Sequence, residues 1–121
     1  MPEPDDQLLV INLTPHAVVV IAGTDELISF PPAGSVARCT VDRVEQPPLP
    51  ANRTQLPFAE ISYGDVEDLP PQRDGVVYLV SVLAALASDR SDLVVVDEEV
   101  RDEDGRIIGC RRLARLRRPD P

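Results

Sequence analysis

Gly75-Val-Val-Tyr-Leu-Val-Ser81, Val82-Leu-Ala-Ala-Leu-Ala-Ser-Asp-Arg-Ser-Asp92 and Leu93-Val-Val-Val96 follow one another without a break, and their reading decides the fold. Val76 to Val80 is an apolar run rich in β-branched residues, as suits a strand covered on both faces. Ser81 can cap a helix that begins at Val82. Val82, Leu83, Leu86 and Ala87 recur at helical spacing, and Ser88, Asp89, Ser91 and Asp92 end the segment. Leu93 to Val96 is again strand-like. The link between the two strands is about as long as a parallel crossover requires, which points to a βαβ unit and leaves an antiparallel return open.

Working outward toward the N-terminus, Leu8 to Leu13 and His16 to Ala22 are apolar segments divided by Thr14 and Pro15. They predict two strands with a break at the proline, which cannot donate to a ladder. A turn at Gly23 to Asp25 leads into a short strand from Glu26 to Phe30, ended by Pro31 and Pro32. Ser35 to Val44 alternates as a half-exposed strand does. Gln46 to Pro57 carries Pro47, Pro48, Pro50 and Pro57 with little periodicity, so it reads as a long extended loop. Phe58 to Tyr63 suits another strand, and Gly64 to Asp74 reads as loop.

On the C-terminal side, Asp104-Gly105 is a hairpin signal, with arms near Glu99 to Asp102 and Arg106 to Leu113. Leu113 and Leu116, at i and i+3, predict one amphipathic turn packed on the body. The pieces assemble into a single α+β domain at residues 8–113, with a mixed, mostly antiparallel sheet and one principal short helix near 82–89. A disordered leader at 1–7 and a basic tail at 114–121 complete the expected organisation.

Composition narrows the function classes. Hydrophobic residues make up 43% of the 121 and aromatics 3%, enough for a core of Val, Leu, Ile and Ala but not for base-stacking platforms. The formal charge is −9. Residues 111–121 hold five arginines against one aspartate, a net +4, which leaves −13 on the first 110 residues. Such an acidic body opposes general nucleic-acid binding. The first residues lack a signal peptide's basic start and apolar run, and no stretch approaches the roughly 20 apolar residues of a membrane span. Two cysteines, Cys39 and Cys110, make no disulfide framework. A reduced cytoplasmic setting is expected.

Several clusters invite chemistry. Asp102, Asp104 and Gly105 match three positions of a calcium loop, but Val100 and Arg111 would fall where its strongest ligands belong. A solvated hairpin tip is the better account. Zinc spacing of the Cys-x-x-Cys or His-x-x-x-His type is absent, and no metal or cofactor is expected. His16 with Cys39 or Cys110 could form a nucleophile and its base, which would need an activated thiolate. Ser81, where a strand hands over to a helix, could help hold an anion with Arg90 and Arg101, or could simply cap the helix. The arginine-rich tail could contact RNA, a membrane surface or an acidic partner, or fold back on the body.

Asn12-Leu13-Thr14-Pro15-His16, Tyr63-Gly64, Leu69-Pro70, Tyr78-Leu79-Val80-Ser81, Arg90-Ser91-Asp92, Val100-Arg101-Asp102, Gly105 and Gly109-Cys110 together resemble a family of short proteins of tailed phages, prophages and actinobacterial genomes. The resemblance covers nearly the whole chain and departs at Asp97-Glu98, where the family pattern has Pro-Gly. It implies a cytoplasmic accessory protein of a phage or mobile element, and it carries over no activity or catalytic residues. The leading expectation is therefore a non-enzymatic protein that binds a small anionic, nucleotide-like ligand or a host protein. Asn12, Thr14, His16, Ser81, Arg90 and Arg101 are the candidate ligand-binding residues. A small hydrolase or transferase using His16 and Cys110, and a self-assembling homo-oligomer, are the alternatives.

Overall fold

The unbroken apolar run at Val76–Leu79 forms a strand with every residue buried, and the chain wraps around it. A computed structural model describes residues 7–117; the expected leader and the end of the basic tail lie outside them. In chain order the strands are β1 Leu9–Asn12, β2 Val18–Ala22, β3 Glu26–Phe30, β4 Arg38–Ala51, β5 Thr54–Glu67, β6 Val76–Leu79, β7 Leu93–Arg101 and β8 Ile107–Ala114. The helix α1, Val82–Leu86, lies between β6 and β7. Six strands form one mixed sheet in the order β1-β6-β7-β8-β2-β3, and β4 pairs only with β5. Strands hold 58% of the described residues, so the single domain is mainly β rather than clearly α+β.

β6 and β7 run parallel, with Tyr78 beside Leu93 and Leu79 beside Val94, as the crossover reading expects. β1–β6 and β2–β8 are also parallel. The long ladders, β7–β8, β2–β3 and β4–β5, are antiparallel.

The sheet has to curl. β1 and β2 are first and fifth in the sheet, yet only six residue steps separate Asn12 from Val18. Fully extended, that length spans about 20 Å, and four flat strand spacings of about 4.8 Å would use nearly all of it. The link is not extended, because Asn12 and Thr14 fold it into a tight turn. The outer strands therefore approach each other: Asn12 bridges to Pro32 just past β3, and the Ala33 N–H donates to Asn12 O at 2.9 Å. Asn12 is 2% exposed. Its amide Nδ2 donates to His16 O at 2.8 Å and to Phe30 O at 2.9 Å. Its Oδ1 accepts from the Thr14 backbone N–H at 2.9 Å.

The core lies inside this curl, built from Leu13, Val76, Tyr78, Val80, Leu93 and Val95 with Ala84 and Ala85 of α1. The helix departs from expectation in length and in face. It ends at Leu86, and the residues buried are Ala84 and Ala85, whereas Val82, Leu83, Leu86 and Ala87 are exposed. Alanine lets the helix approach β7 and β4 closely, and a larger residue would hold it away.

Gln46 to Pro57 is not a loop. It forms the outer half of a β4–β5 hairpin that turns at Asn52 and Arg53, both with positive φ (50° and 64°). A two-stranded sheet has an open outer edge on each strand, so prolines fit without breaking the pairing. β5 also runs on through Gly64 to Glu67, into the stretch read as loop. At the C-terminus, β8 continues to Ala114, so Leu113 is in a strand rather than a helical turn. Leu116 does pack against the core.

Replacing Asn12 by Ala removes the donor that serves Phe30 and His16 and the acceptor that serves Thr14. Buried groups left without partners cost about 1–3 kcal/mol each. The Asn12→Ala protein is expected to lose about 2–4 kcal/mol in urea denaturation; a loss below about 0.5 kcal/mol would show that the clamp does not hold the curl.

Candidate functional site

Curling leaves a cleft of about 300 Å³ where the β1–β2 link meets the start of α1 and the β7–β8 ladder. Its size is at the small end of pockets that hold ligands. Thr14 to Val19 form one wall, Val80 to Val82 a second, and Val95, Val96, Glu99 and Ile107 to Cys110 the third. The lining is chiefly aliphatic, and Glu99 is its one acidic or arginine side chain.

Of the six candidate ligand-binding residues, Thr14, His16 and Ser81 line this cleft and Asn12, Arg90 and Arg101 do not. Asn12 has its amide committed to the clamp. Thr14 Oγ1 lies 2.7 Å from Asn12 Oδ1 and 3.0 Å from His16 O, so its one proton already has two acceptors within the turn. His16 is exposed. Ser81 is the N-cap of α1, and its Oγ accepts the Ala84 N–H at 3.2 Å. Capping is thus its observed role, and a five-residue helix adds little dipole for an anion.

Arg90 is a structural cation. Its Nε and Nη2 donate to the Asp92 carboxylate at 2.9 and 2.6 Å, and Nη1 donates to Pro70 O at 2.7 Å. The guanidinium also stands 5.8 Å from the Tyr78 ring centroid, within cation–π range. Tyr78 in turn donates its hydroxyl to Pro71 O at 3.2 Å. The pair thereby pins the 69–71 segment over the core. Hydrogen bonds from Arg90 hold the Asp92 carboxyl below its ordinary range, against the opposing cost of burial.

Arg101 lies at the β7–β8 hairpin tip and donates to Gly105 O at 2.7 Å. There the Asp102 carboxylate accepts the backbone N–H groups of Asp104 and Arg106 at 2.9 and 3.0 Å. Its oxygen is used to shape the turn. Among the described residues no group of three His, Cys, Asp or Glu side chains is placed to hold a metal ion.

Cys110 and His16 both line the cleft, but the thiol is not set up as a nucleophile. Cys110 is 2% exposed, its Sγ donates to Val19 O at 3.6 Å, and burial pushes its pKa up. An activated thiol needs the opposite shift. Gly109 beside it is required by packing, since a Cβ there would lie 2.8 Å from Val19 O. The Gly-Cys pair therefore lets β8 dock against β2, where Val20 sits beside Cys110.

Val96, Glu99, Ile107 and Ile108 are cleft residues that sequence reasoning did not single out for the site. Val96, Ile107 and Ile108 read there as ordinary strand residues and Glu99 as part of an acidic run, and only the β7–β8 register places them together. No family model, curated protein or solved structure matches the chain.

Two outcomes follow from these pKa shifts. With Asp92's folded pKa below the unfolded value of about 3.9, its contribution is fully present above about pH 4 and is lost as pH falls through the folded pKa. Asp92→Asn is expected to cost about 3 kcal/mol at neutral pH by leaving Arg90 without its anion, with the gap to the parent protein narrowing at about pH 3; an equal gap at both pH values would contradict the linkage. For Cys110, iodoacetamide at about pH 8 should leave the thiol unmodified in the folded protein and label it after denaturation. Rapid native labelling, located by peptide mass, would restore the thiol chemistry.

Proposed function

We propose that this protein acts by binding rather than by catalysis, as an accessory protein that engages another protein through apolar side chains. The observation that carries the reading is the cleft itself: an aliphatic concavity beside a capped helix start, with a protonated, buried thiol at its floor. Its lining offers Glu99 and no arginine, so it suits apolar or cationic groups better than an anion. Arg90, the cation closest in sequence to α1, is spent on Asp92. A nucleotide-like ligand accordingly fits this cleft less well than a protein segment does.

A second surface supports recognition of protein. Val41, Val44, Leu49, Leu56, Phe58 and Tyr63 on the β4–β5 hairpin are all exposed. So are Val82, Leu83 and Leu86 on the helix. Large apolar side chains gathered on a projecting element mark interaction surfaces. The resemblance to phage and actinobacterial proteins supplies the setting, a cytoplasmic accessory role with a host or phage protein as partner. No helix among the described residues is long and apolar enough to cross a membrane.

Nuclear magnetic resonance of the dilute protein with small aliphatic fragments tests the reading. The amides of Val82, Val96 and Ile108 are expected to shift together and saturably, and Ile108→Asp, at an exposed position, to abolish the shifts without unfolding. Absence of any saturable shift in the cleft would overturn it.

A further inference from the structure

The β4–β5 hairpin has a base and a free outer part with different chemistry. At the base, Ala37 is buried in the core and Val66 packs against it. From Val41 to Asp65 the side chains are exposed, apart from half-buried Gln46 and Ala51. With 14 residues in each strand, the arm is roughly 46 Å long at about 3.3 Å per residue. Cross-strand register puts Val44, Phe58, Leu49 and Leu56 on one face. A lone two-stranded ribbon is marginal in water, and this one presents aliphatic and aromatic groups with no covering layer.

Charge distinguishes the tip. Residues 46–59 contain one charged side chain, Arg53, in a protein of formal charge −9. Arg53 sits in the turn, flanked by Leu49 and Leu56, which face each other across the strands. Pro47, Pro48, Pro50 and Pro57 stiffen the same stretch and reduce the entropy lost on docking. The tip is thus a rigid apolar wedge with a single cation.

The cleft is the complement: aliphatic walls and a single carboxylate, Glu99. We propose that the occupant of the cleft is the arm tip of a second copy of this chain, with Leu49 and Leu56 against Val96 and Ile108 and Arg53 paired to Glu99. This deepens the reading of the cleft as a protein-binding site and rests on it. Two copies carrying −9 each repel over most orientations, and a cationic tip entering a cleft whose one carboxylate is Glu99 is a contact that escapes this repulsion. Tip and cleft are different surfaces, so the contact is head-to-tail. Repetition closes a ring if the rotation permits and otherwise extends a filament.

Sedimentation velocity on the full chain over a concentration series tests the proposal. The parent protein is expected to associate, while Arg53→Glu and Glu99→Arg, both at exposed positions, each weaken association about tenfold or more and stay folded by circular dichroism. Mixing the two variants should restore association. The tip of the Arg53→Glu protein then meets the cleft of the Glu99→Arg protein with the charges exchanged, and the unaltered tip of the second meets the unaltered cleft of the first. A monomeric parent protein, association unaltered in the single variants, or no recovery on mixing would each overturn head-to-tail docking. Fragment binding in the cleft of a monomeric protein would leave the recognition reading standing and remove only the self-docking; loss of both would remove both.

Discussion

The Asn12 side chain is the constraint on which the rest of the molecule depends. A mixed sheet of six strands can lie open, and this one is drawn into a curl because one amide reaches from the end of β1 to the end of β3. It donates to Phe30 O and to His16 O while its oxygen accepts the Thr14 N–H. In a buried position each of these bonds is worth more as a geometric requirement than as net energy, since losing one leaves a dry carbonyl or amide behind. The cleft exists because of the same turn, whose outer residues Thr14 to Ala17 become its first wall.

Most of the motif residues have been absorbed by this scaffold. Asn12 and Thr14 form the clamp, Ser81 caps α1, and Arg90 and Asp92 fasten the Leu69-Pro70 segment across Tyr78. Asp102 builds the β7–β8 turn, and Gly109 admits Val19 O. Gly64 serves in the same way, because a Cβ there would meet Thr40 Oγ1 at 2.6 Å. Residues of this kind resemble catalytic or binding sets in a sequence, since polar side chains at unusual positions serve both purposes. What separates them is whether their hydrogen-bonding groups are already used, and here they are.

Legibility in the sequence followed the physics of each element. The strands at 76–80 and 93–96 were readable because a run of β-branched residues has few other stable solutions, while the length between them allowed a parallel crossover and left an antiparallel return open. Of the β4–β5 arm, the strand segments at 35–44 and 58–63 were readable, but the outer part at 46–57 was not, for two reasons. Its turn is Asn52-Arg53, without the glycine that marks two-residue hairpins, and its prolines are tolerated only because both strands have open edges. The helix was placed but its face was inverted: periodicity marks the large apolar residues as inward, whereas close approach to two strands admits only Ala84 and Ala85. Half of the candidate residues therefore line the cleft, while the aliphatic lining itself emerged only from register.

Glu98 holds a backbone conformation that ordinarily suits glycine: its φ is 59°, in the left-handed region. Glu98 and Asp97 both pair with Arg112, at 2.7 and 2.9 Å. All three side chains are half-exposed or more, so the network is screened and only weakly stabilising. The single guanidinium of Arg112 offsets one of the two negative charges that precede Glu99 in β7. Glu99 remains as the acidic group that lines the cleft. The Arg112 pairs occupy the carboxylates of Asp97 and Glu98, so Glu99, one residue further along β7, is the acidic side chain whose charge is left for the cleft it lines.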